Sequence, residues 1–460
     1  MNTLKSILLF IIFTNYAFSQ SLDNSKIEKY SIIADKIVKY ALENEEGYKL
    51  LEGFCQFGPR LSGSENSLKS IFWAEKKMKE LGFENVTLQP VMVPHWVRGN
   101  IEKCIISKSK FYKNRKLNVG ALGGSVSTIG KNIEAEIIEV KSFDELNKLG
   151  EKVKGKIVFY NRPMEKGLVN TMDAYGRAVD QRSMGAINAA KYGAIAVIVR
   201  SVTTKEDNSP HLGSVNYLDE IPKIPAIVIG IKDANLLSEA IKKEPDLKVK
   251  IELNCKTLPD ILSYNLFCDI VGTEYPDEVI LLVGHSDSWD AGVGAHDDAA
   301  GCFHALEALN IIKSLNLKPK RTIRCAFIIN EENGIRGALA YGKYSDTCKY
   351  KHICALESDR GGGSPLGFYA TADSLKFLKI SSWLPILQKA NIEWIRHGGG
   401  GVDISKVKTD VTMGFAPDIL KYFDFHHSAN DVISAVHPRE FELGAAAIAI
   451  LSYLISEEGL

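Results

Sequence analysis

The sequence has no excess of charge of either sign and no long block of like charges. Among its 460 residues, Lys and Arg together number 56, and so do Asp and Glu, which gives a formal net charge of zero. A nucleic-acid binder usually shows a basic excess, and an acidic or basic tail needs a block of like charges. The composition therefore argues against a nucleic-acid partner and favours an ordinary globular protein.

Long hydrophobic runs are also missing from the body of the chain. A membrane-spanning helix needs ~20 consecutive apolar residues. The N-terminal stretch "MNTLKSILLFIIFTNYAFSQ" has one early lysine, a shorter apolar run and small residues before a cut, the pattern of a secretory signal. We predict a signal peptide at 1–19, a leading helical, propeptide-like segment at 20–46, and a secreted or periplasmic protein without a membrane anchor.

Cysteine is scarce for an exported chain, with eight residues in all. Three of them lie inside apolar helix or strand patterns, which favours buried thiols. Short bridges between Cys348 and Cys354, or between Cys255 and Cys268, remain open, because connectivity cannot be deduced from sequence.

Strands and helices alternate regularly from Tyr264 onward, and the last helix begins at about Pro438. This alternation predicts an α/β fold, with a mostly parallel sheet flanked by helices. An earlier α/β stretch, 118–258, contains no cluster of ligand-type residues. We interpret it as an inserted domain that separates two parts, 47–117 and 259–460, of one catalytic domain.

Polar clusters follow the predicted strands of the second part. They are His285 with Asp287, Asp297 with Asp298, Glu331 with Glu332, Asp359, and His426 with His427. Each has an ordinary explanation alone, such as a helix cap or a charge favoured by a helix dipole. Ligands of open α/β sheets, however, bind outside the carboxyl ends of the strands. One edge of one sheet would thus bring all five clusters together.

Three carboxylates in one pocket, Asp297, Glu332 and Asp359, raise one another's pKa and need positive charge. Arg360 is the one cation at these strand ends, so a metal is the economical source of that charge. Mixed histidine and carboxylate ligands suit zinc, and a catalytic zinc keeps three protein ligands. Five ligands therefore favour two metals that share one carboxylate, ~3.5–4 Å apart.

Five motifs, "GPRLSGS", "HSDSWDAGVGAHDDAAG", "NEENG", "LESD" and "HHSAND", resemble those of the M28 family of zinc peptidases. The resemblance extends from about Gly47 to the C-terminus and includes the insert, which resembles a protease-associated domain. It implies the zinc exopeptidase fold, two Zn²⁺ per chain, a short peptide substrate and a possible homodimer.

The resemblance also assigns roles to single residues. His285 and Asp359 match ligands of one metal, Glu332 and His427 match ligands of the other, and Asp297 matches the bridging ligand. Glu331 matches the general base, Asp287 the carboxylate that orients His285, and the Asp297–Asp298 bond is expected to be cis.

Two further roles are hypotheses. Some relatives have a tyrosine just before the last histidine ligand that helps to hold the oxyanion, and His426 stands there in this sequence. We expect His426 to donate a hydrogen bond to the oxyanion. Asp431 follows the last ligand and is expected to orient it.

The sequence thus favours an exported di-zinc exopeptidase that acts on dipeptides or short peptides and is carboxypeptidase-like by resemblance. An aminopeptidase with the same metal centre remains open, because the motifs do not distinguish the two polarities. A glutaminyl-cyclase-like acyltransferase would use a single zinc, which the five ligands disfavour. A binding module of transferrin-receptor type would have lost the catalytic residues that this chain retains.

Overall fold

The computed structural model of the protein describes residues 23–131 and 133–460, so the predicted signal peptide lies outside the described residues. The α-helices are α1 (Asn24–Asn44), α2 (Glu46–Cys55), α3 (Glu65–Glu80), α4 (Phe143–Leu149), α5 (Thr171–Gly176), α6 (Asp180–Ser183), α7 (Gly185–Ala190), α8 (Ile231–Lys243), α9 (Ala300–Ser314), α10 (Arg336–Thr347), α11 (Ser374–Ser381), α12 (Leu384–Leu387), α13 (Tyr422–Phe425) and α14 (Pro438–Glu458).

The strands fall into two groups along the chain. They are β1 (Glu84–Val97), β2 (Glu102–Lys108), β3 (Arg115–Leu117), β4 (Val119–Ala121), β5 (Ile133–Val140), β6 (Ile157–Tyr160), β7 (Ala196–Arg200), β8 (Ala226–Ile229), β9 (Lys248–Leu253), β10 (Lys256–Ile270), β11 (Tyr275–His285), β12 (Arg321–Ile328), β13 (Lys351–Glu357), β14 (Pro365–Thr371), β15 (Trp394–His397) and β16 (Thr412–Pro417).

The first sheet has eight strands in the order β1-β10-β12-β11-β13-β16-β14-β15. Its four central strands, β12, β11, β13 and β16, run parallel, whereas β1, β10 and β14 each pair antiparallel with a neighbour. Central strands such as β11 end in an unbroken buried run, as expected where helices cover both faces of a parallel sheet. The predicted α/β fold is confirmed, and its parallel part is the centre of this sheet.

Helices α2, α9 and α14 cover one face of this sheet. The largest apolar cluster of the structure contains Phe54, Phe303 and Phe441 from these three helices, together with Phe327 of β12. The alanine-rich segment of α14 is buried in this cluster. Among the described residues, no helix combines the length and apolarity needed to cross a membrane.

The second sheet also has eight strands, in the order β3-β2-β9-β5-β6-β7-β8-β4. It begins at Glu102, earlier than the predicted 118, because β2 pairs with β9 and carries β3 on its other edge. The side-chain oxygen of Asn254 accepts hydrogen bonds from the amides of Asn100 (3.0 Å) and Ile101 (2.8 Å). The segments that lead into and out of the second sheet therefore lie side by side. Residues 101–254 are called the inserted unit below, and the remainder the catalytic unit.

All eight cysteines are free in the structure. The two short bridges left open above are both wrong. Cys255 precedes β10 while Cys268 lies near its far end, and Cys348 follows α10 while Cys354 lies within β13. The buried thiols therefore serve as small apolar side chains.

Candidate active site

The predicted ligands gather at the carboxyl edge of the central strands. His285 is the last residue of β11, Glu331 and Glu332 follow β12, and Asp359 follows β13. Strand β11 pairs with both β12 and β13, so the three strand ends are neighbours. The structure thus brings these three clusters to one edge of the sheet, where the alternating pattern predicts them.

His285, Asp297 and Asp359 form the first half-site. The Nε2 atom of His285 lies 3.3 Å from Oδ1 of Asp297 and 3.5 Å from Oδ1 of Asp359. The three donor atoms lie close enough together to hold one metal ion.

Asp297, Glu332 and His427 form the second half-site. The Nε2 atom of His427 lies 3.3 Å from Oδ2 of Asp297 and 3.1 Å from Oε2 of Glu332. Asp297 therefore faces the first half-site with Oδ1 and the second with Oδ2, the arrangement that a bridging carboxylate needs.

The donor atoms of the second half-site fit a bound cation. Oδ2 of Asp297 and Oε1 of Glu332 are buried and accept no hydrogen bond from any described residue. They line a cavity of about 10 Å³ together with His427. A buried carboxylate oxygen without a partner is costly, and the nitrogen and oxygen donors suit zinc.

The electrostatics of the cluster point the same way. Burial raises the pKa of Glu332 to about 7. Burial disfavours the charged imidazole, yet Glu332 and Asp297 raise the pKa of His427 to about 10. Burial and the carboxylates of Asp359 and Glu332 raise the pKa of Glu331 well above its ordinary value. Such a cluster retains protons, which a divalent cation would displace on binding.

The two aspartates of the "HDD" motif have different partners. The bond between Asp297 and Asp298 is cis, as the resemblance implies. Asp298 accepts hydrogen bonds from the amides of His285 (3.0 Å) and Gly301 (3.0 Å). It thus ties the end of β11 to the first turn of α9 and leaves Asp297 to face both half-sites.

Asp431 positions Asp297 instead of the last histidine. Its two carboxylate oxygens accept hydrogen bonds from the amides of His296 (2.7 Å) and Asp297 (3.1 Å). The hypothesis that Asp431 orients His427 is therefore wrong, because both oxygens already serve the "HDD" loop.

Asp287 also differs from its expected role. Its carboxylate lies 3.8 Å from Nδ1 of His285, and its main-chain carbonyl is closer to that atom, at 3.1 Å. The carboxylate instead accepts hydrogen bonds from the amides of Asn330 (2.8 Å), Glu331 (3.1 Å) and Glu332 (3.4 Å). Asp287 thus orients His285 through its backbone and holds the turn of Glu331 through its side chain.

His426 lies against the second half-site. Its ring stacks on that of His427, with centroids 3.5 Å apart, and its Nε2 is 3.7 Å from Oδ2 of Asp297. Burial lowers the pKa of His426 well below its ordinary value, so the ring is neutral. One of its ring nitrogens also lies close enough to donor atoms of Asp297 and His427 for the three residues to hold one metal ion.

Sequence reasoning missed a buried arginine in the "GPRLSGS" motif. The Arg60 guanidinium donates hydrogen bonds to the carbonyls of Ser286 (3.0 Å), Gly294 (3.0 Å) and Val293. It packs over the ring of Phe54 at 4.6 Å. The available signal was an arginine inside one of the five motifs, and the role of Arg60 is to brace the loop between His285 and Asp297.

Comparisons with known proteins agree with this geometry. The model of Peptidase family M28 matches residues 265–380. Carboxypeptidase Q of Bos taurus is 35% identical over 438 residues, which cover 94% of this chain and 90% of that protein.

Solved structures show the same likeness. The crystal structure of a peptidase M28 precursor from Shewanella amazonensis SB2B superposes with a TM-score of 0.88 at 30% identity, over 94% of this chain and 97% of that one. A zinc aminopeptidase from Bacillus subtilis shares the fold, with a TM-score of 0.64 at 19% identity over 89% of this chain and 94% of its own. Because the likeness to carboxypeptidase Q spans nearly the whole of both proteins, the chain is a metallopeptidase and belongs to peptidase family M28.

Proposed function

We propose that the protein is an exported di-zinc exopeptidase that hydrolyses dipeptides or short peptides with carboxypeptidase polarity. The observation that carries the proposal is the position of Asp297, which presents one oxygen to each of two ligand pairs. A single catalytic zinc would leave two of the five ligands without a role. Export depends on the predicted signal peptide, and the possible homodimer remains a prediction from the resemblance.

Glu331 is the proposed general base. When bound, the two zinc ions would supply positive charge, polarise the scissile carbonyl and lower the pKa of the attacking water. Glu331 accepts a proton from that water while the water oxygen bonds to the carbonyl carbon. As the carbon–nitrogen bond breaks, Glu331 returns the proton to the leaving amine. Asp287 fixes the turn that carries Glu331 through hydrogen bonds to its amides.

His426 is proposed to donate a hydrogen bond to the oxyanion. Its neutral ring has an N–H to give, and it lies beside Asp297 and His427. Loss of one such donor costs ~10²–10³ in kcat. A ring that only fills space next to His427 would change turnover far less.

Carboxypeptidase polarity is supported by the cleft beside the first half-site. A cavity of about 480 Å³ is lined by Asp359, Arg360 and the glycines Gly400 and Gly401. The Arg360 guanidinium offers a counter-charge to a terminal carboxylate. The name of the bovine relative, carboxypeptidase Q, agrees. Glu357 lines the same cavity and could pair with a terminal amine, which keeps an aminopeptidase as the second candidate.

Two blocked substrates test the polarity. The purified protein is incubated with an N-acetylated dipeptide and, separately, with a C-amidated dipeptide. The proposal predicts cleavage of the acetylated peptide, and cleavage of the amidated one alone would assign an aminopeptidase. Metal analysis of the same sample is expected to give about two zinc ions per chain. A protein without zinc and without activity would favour a binding module.

A further inference from the structure

The two half-sites differ in which unit of the protein holds their ligands. The main-chain amide of His285 donates to Asp298, its ring contacts the carbonyl of Asp287, and the amide of Asp297 donates to Asp431. All of these partners belong to the catalytic unit. Among the described residues, the inserted unit makes no hydrogen bond to a ligand of the first half-site.

Glu332 and His427, the two ligands that the second half-site does not share, both contact the inserted unit. The Leu212 amide donates to the carbonyl of His427 (2.7 Å), and the Ser214 hydroxyl donates to the carbonyl of Glu332 (3.0 Å). His211 places its Nδ1 2.7 Å from the carbonyl of His426. The segment 211–214 therefore lies along the backbone of both ligands.

The ring of His427 depends on the same segment. Because Nε2 faces Asp297 and Glu332, the tautomer that binds a metal carries its proton on Nδ1. That atom lies 3.3 Å from the carbonyl oxygen of Leu212, the one acceptor it has among the described residues. The outer N–H of a metal-binding histidine normally donates to such an oxygen, which fixes the tautomer and the ring orientation.

Arg182 holds the carbonyl of Leu212 in place. Its buried guanidinium donates to that oxygen (2.9 Å) and to the Tyr175 hydroxyl (2.7 Å), and it lies 3.3 Å from Nδ1 of His427. Gly213 packs against the guanidinium with φ of +127°, and a methyl group there would overlap Arg182. A glycine is thus required beside the arginine.

The segment is anchored within the inserted unit itself. Gly123, just beyond β4, donates to the carbonyl of Gly213 (2.9 Å) and accepts from the amide of Val215 (2.9 Å). Trp289 of the catalytic unit packs into the apolar core of the inserted unit and against Gly123. The inserted unit therefore holds the segment from behind.

We propose that the segment 211–214, held by the positioning residue Arg182, sets the zinc affinity of the second half-site and leaves that of the first unchanged. The inference rests on the proposed two-metal function. It assigns to the inserted unit a role in completing the metal centre.

The test is the zinc-binding isotherm of the full chain, by competition with a chromophoric chelator. The first and second steps are named here after the half-site that each fills, whichever half-site fills first. Arg182→Leu removes the hydrogen bond to Leu212, and Gly213→Ala displaces the arginine. Each should weaken the second binding step by about 10–100-fold, the usual cost of losing such an outer contact, and leave the first step unchanged. Ser214→Ala removes one hydrogen bond to Glu332 and should weaken the second step by about fivefold.

Gly155→Ala is the matched control, because Gly155 also has a positive φ (+72°) in the inserted unit but faces no atom within 4 Å. It should leave both steps unchanged. Equal weakening of both steps, or no weakening in any of the three variants, would overturn the inference while the two-metal function stands. If Arg182→Leu fails to fold, the milder Ser214→Ala decides. A wild-type chain that binds a single zinc would overturn the proposed function together with the inference.

Discussion

The two half-sites share Asp297 but are built from different kinds of structure. His285 ends a central strand and Asp359 follows the neighbouring one, so the sheet itself fixes the first half-site. His427 lies in a loop beyond the short helix α13 and has a positive φ of 60°. A ligand on a loop needs support from elsewhere, and here the inserted unit supplies it. The comparison teaches that the sheet alone fixes the strand-end ligands, whereas the proposed second metal position also depends, through His427, on the contact between the two units.

Glu331→Gln should have the largest effect and should separate chemistry from metal binding. Glu331 is not a ligand of either half-site. Its loss as general base should lower kcat by about 10²–10⁴. Both zinc-binding steps should remain as in the wild type. Steady-state rates and zinc content are measured with Glu28→Gln as control, since Glu28 is an exposed glutamate. Activity within tenfold of the wild type would remove Glu331 from this role.

His426→Ala tests whether the neighbour of the second half-site acts on substrate or on metal. We expect kcat to fall by about 10²–10³ with the second zinc-binding step unchanged. His426→Gln, which keeps an N–H donor, should recover part of the rate. A loss of zinc affinity in His426→Ala would instead make His426 a ligand, and unchanged turnover would leave it a packing residue.

Asp431→Asn should weaken zinc binding at both half-sites, whereas the Arg182 variant should weaken it at one. The Asp431 carboxylate accepts from the amides of His296 and Asp297, and an amide group can accept with one of its two positions only. We expect both binding steps to weaken by about 10–100-fold. Weakening of one step alone would show that Asp297 is not shared.

Zinc binding should weaken as the pH falls, in both steps. The carboxylates raise the pKa of His427 to about 10 and that of His285 well above its ordinary value, against the opposing effect of burial. Each imidazolium must lose its proton before it binds zinc, so affinity should fall by about tenfold per pH unit for each proton released. Binding isotherms between pH 6 and 8 measure this slope. A pH-independent second step would exclude His427 as its ligand.

Glu442→Gln should have the smallest effect and should leave both half-sites unchanged. Burial raises the pKa of Glu442 to about 7 and that of Glu307 well above its ordinary value. The folded chain therefore binds these protons more tightly than the unfolded chain, and its stability declines as the pH rises from about 4.5 through about 7.

The glutamine variant keeps an acceptor for the amide of Tyr48, which now donates to Glu442 at 2.8 Å, and it carries no charge. Its Tm at pH 8 should exceed that of the wild type by about 2–4 °C, with little difference at pH 5. Calorimetry at both pH values measures the effect. An equal difference at the two pH values would show that the carboxylate is not the cause.

The positions of the candidate metal ligands could be predicted from the sequence, because parallel strands bring their carboxyl ends to one edge. The clusters at His285, Glu332 and Asp359 follow such strands directly. The resemblance then supplied the pairing of the ligands and the shared role of Asp297, which spacing alone left open.

The supports of the site could not be predicted in the same way. Leu212 and His427 are 215 residues apart. The contact uses the main-chain carbonyl of Leu212, which any residue type would provide, so the sequence does not reveal it. The same holds for Asp287, because its carboxylate accepts hydrogen bonds from main-chain amides, which any residue type offers. The second sheet begins before the predicted start of the inserted unit because β2 pairs with β9, which lies far along the chain.

Anomalous diffraction at the zinc edge from crystals of the zinc-loaded protein tests the central claim most directly. Two peaks should lie ~3.5–4 Å apart on either side of Asp297. One should be bound by His285 and Asp359, and the other by Glu332 and His427. A single peak, or a second peak that His427 does not touch, would contradict the account.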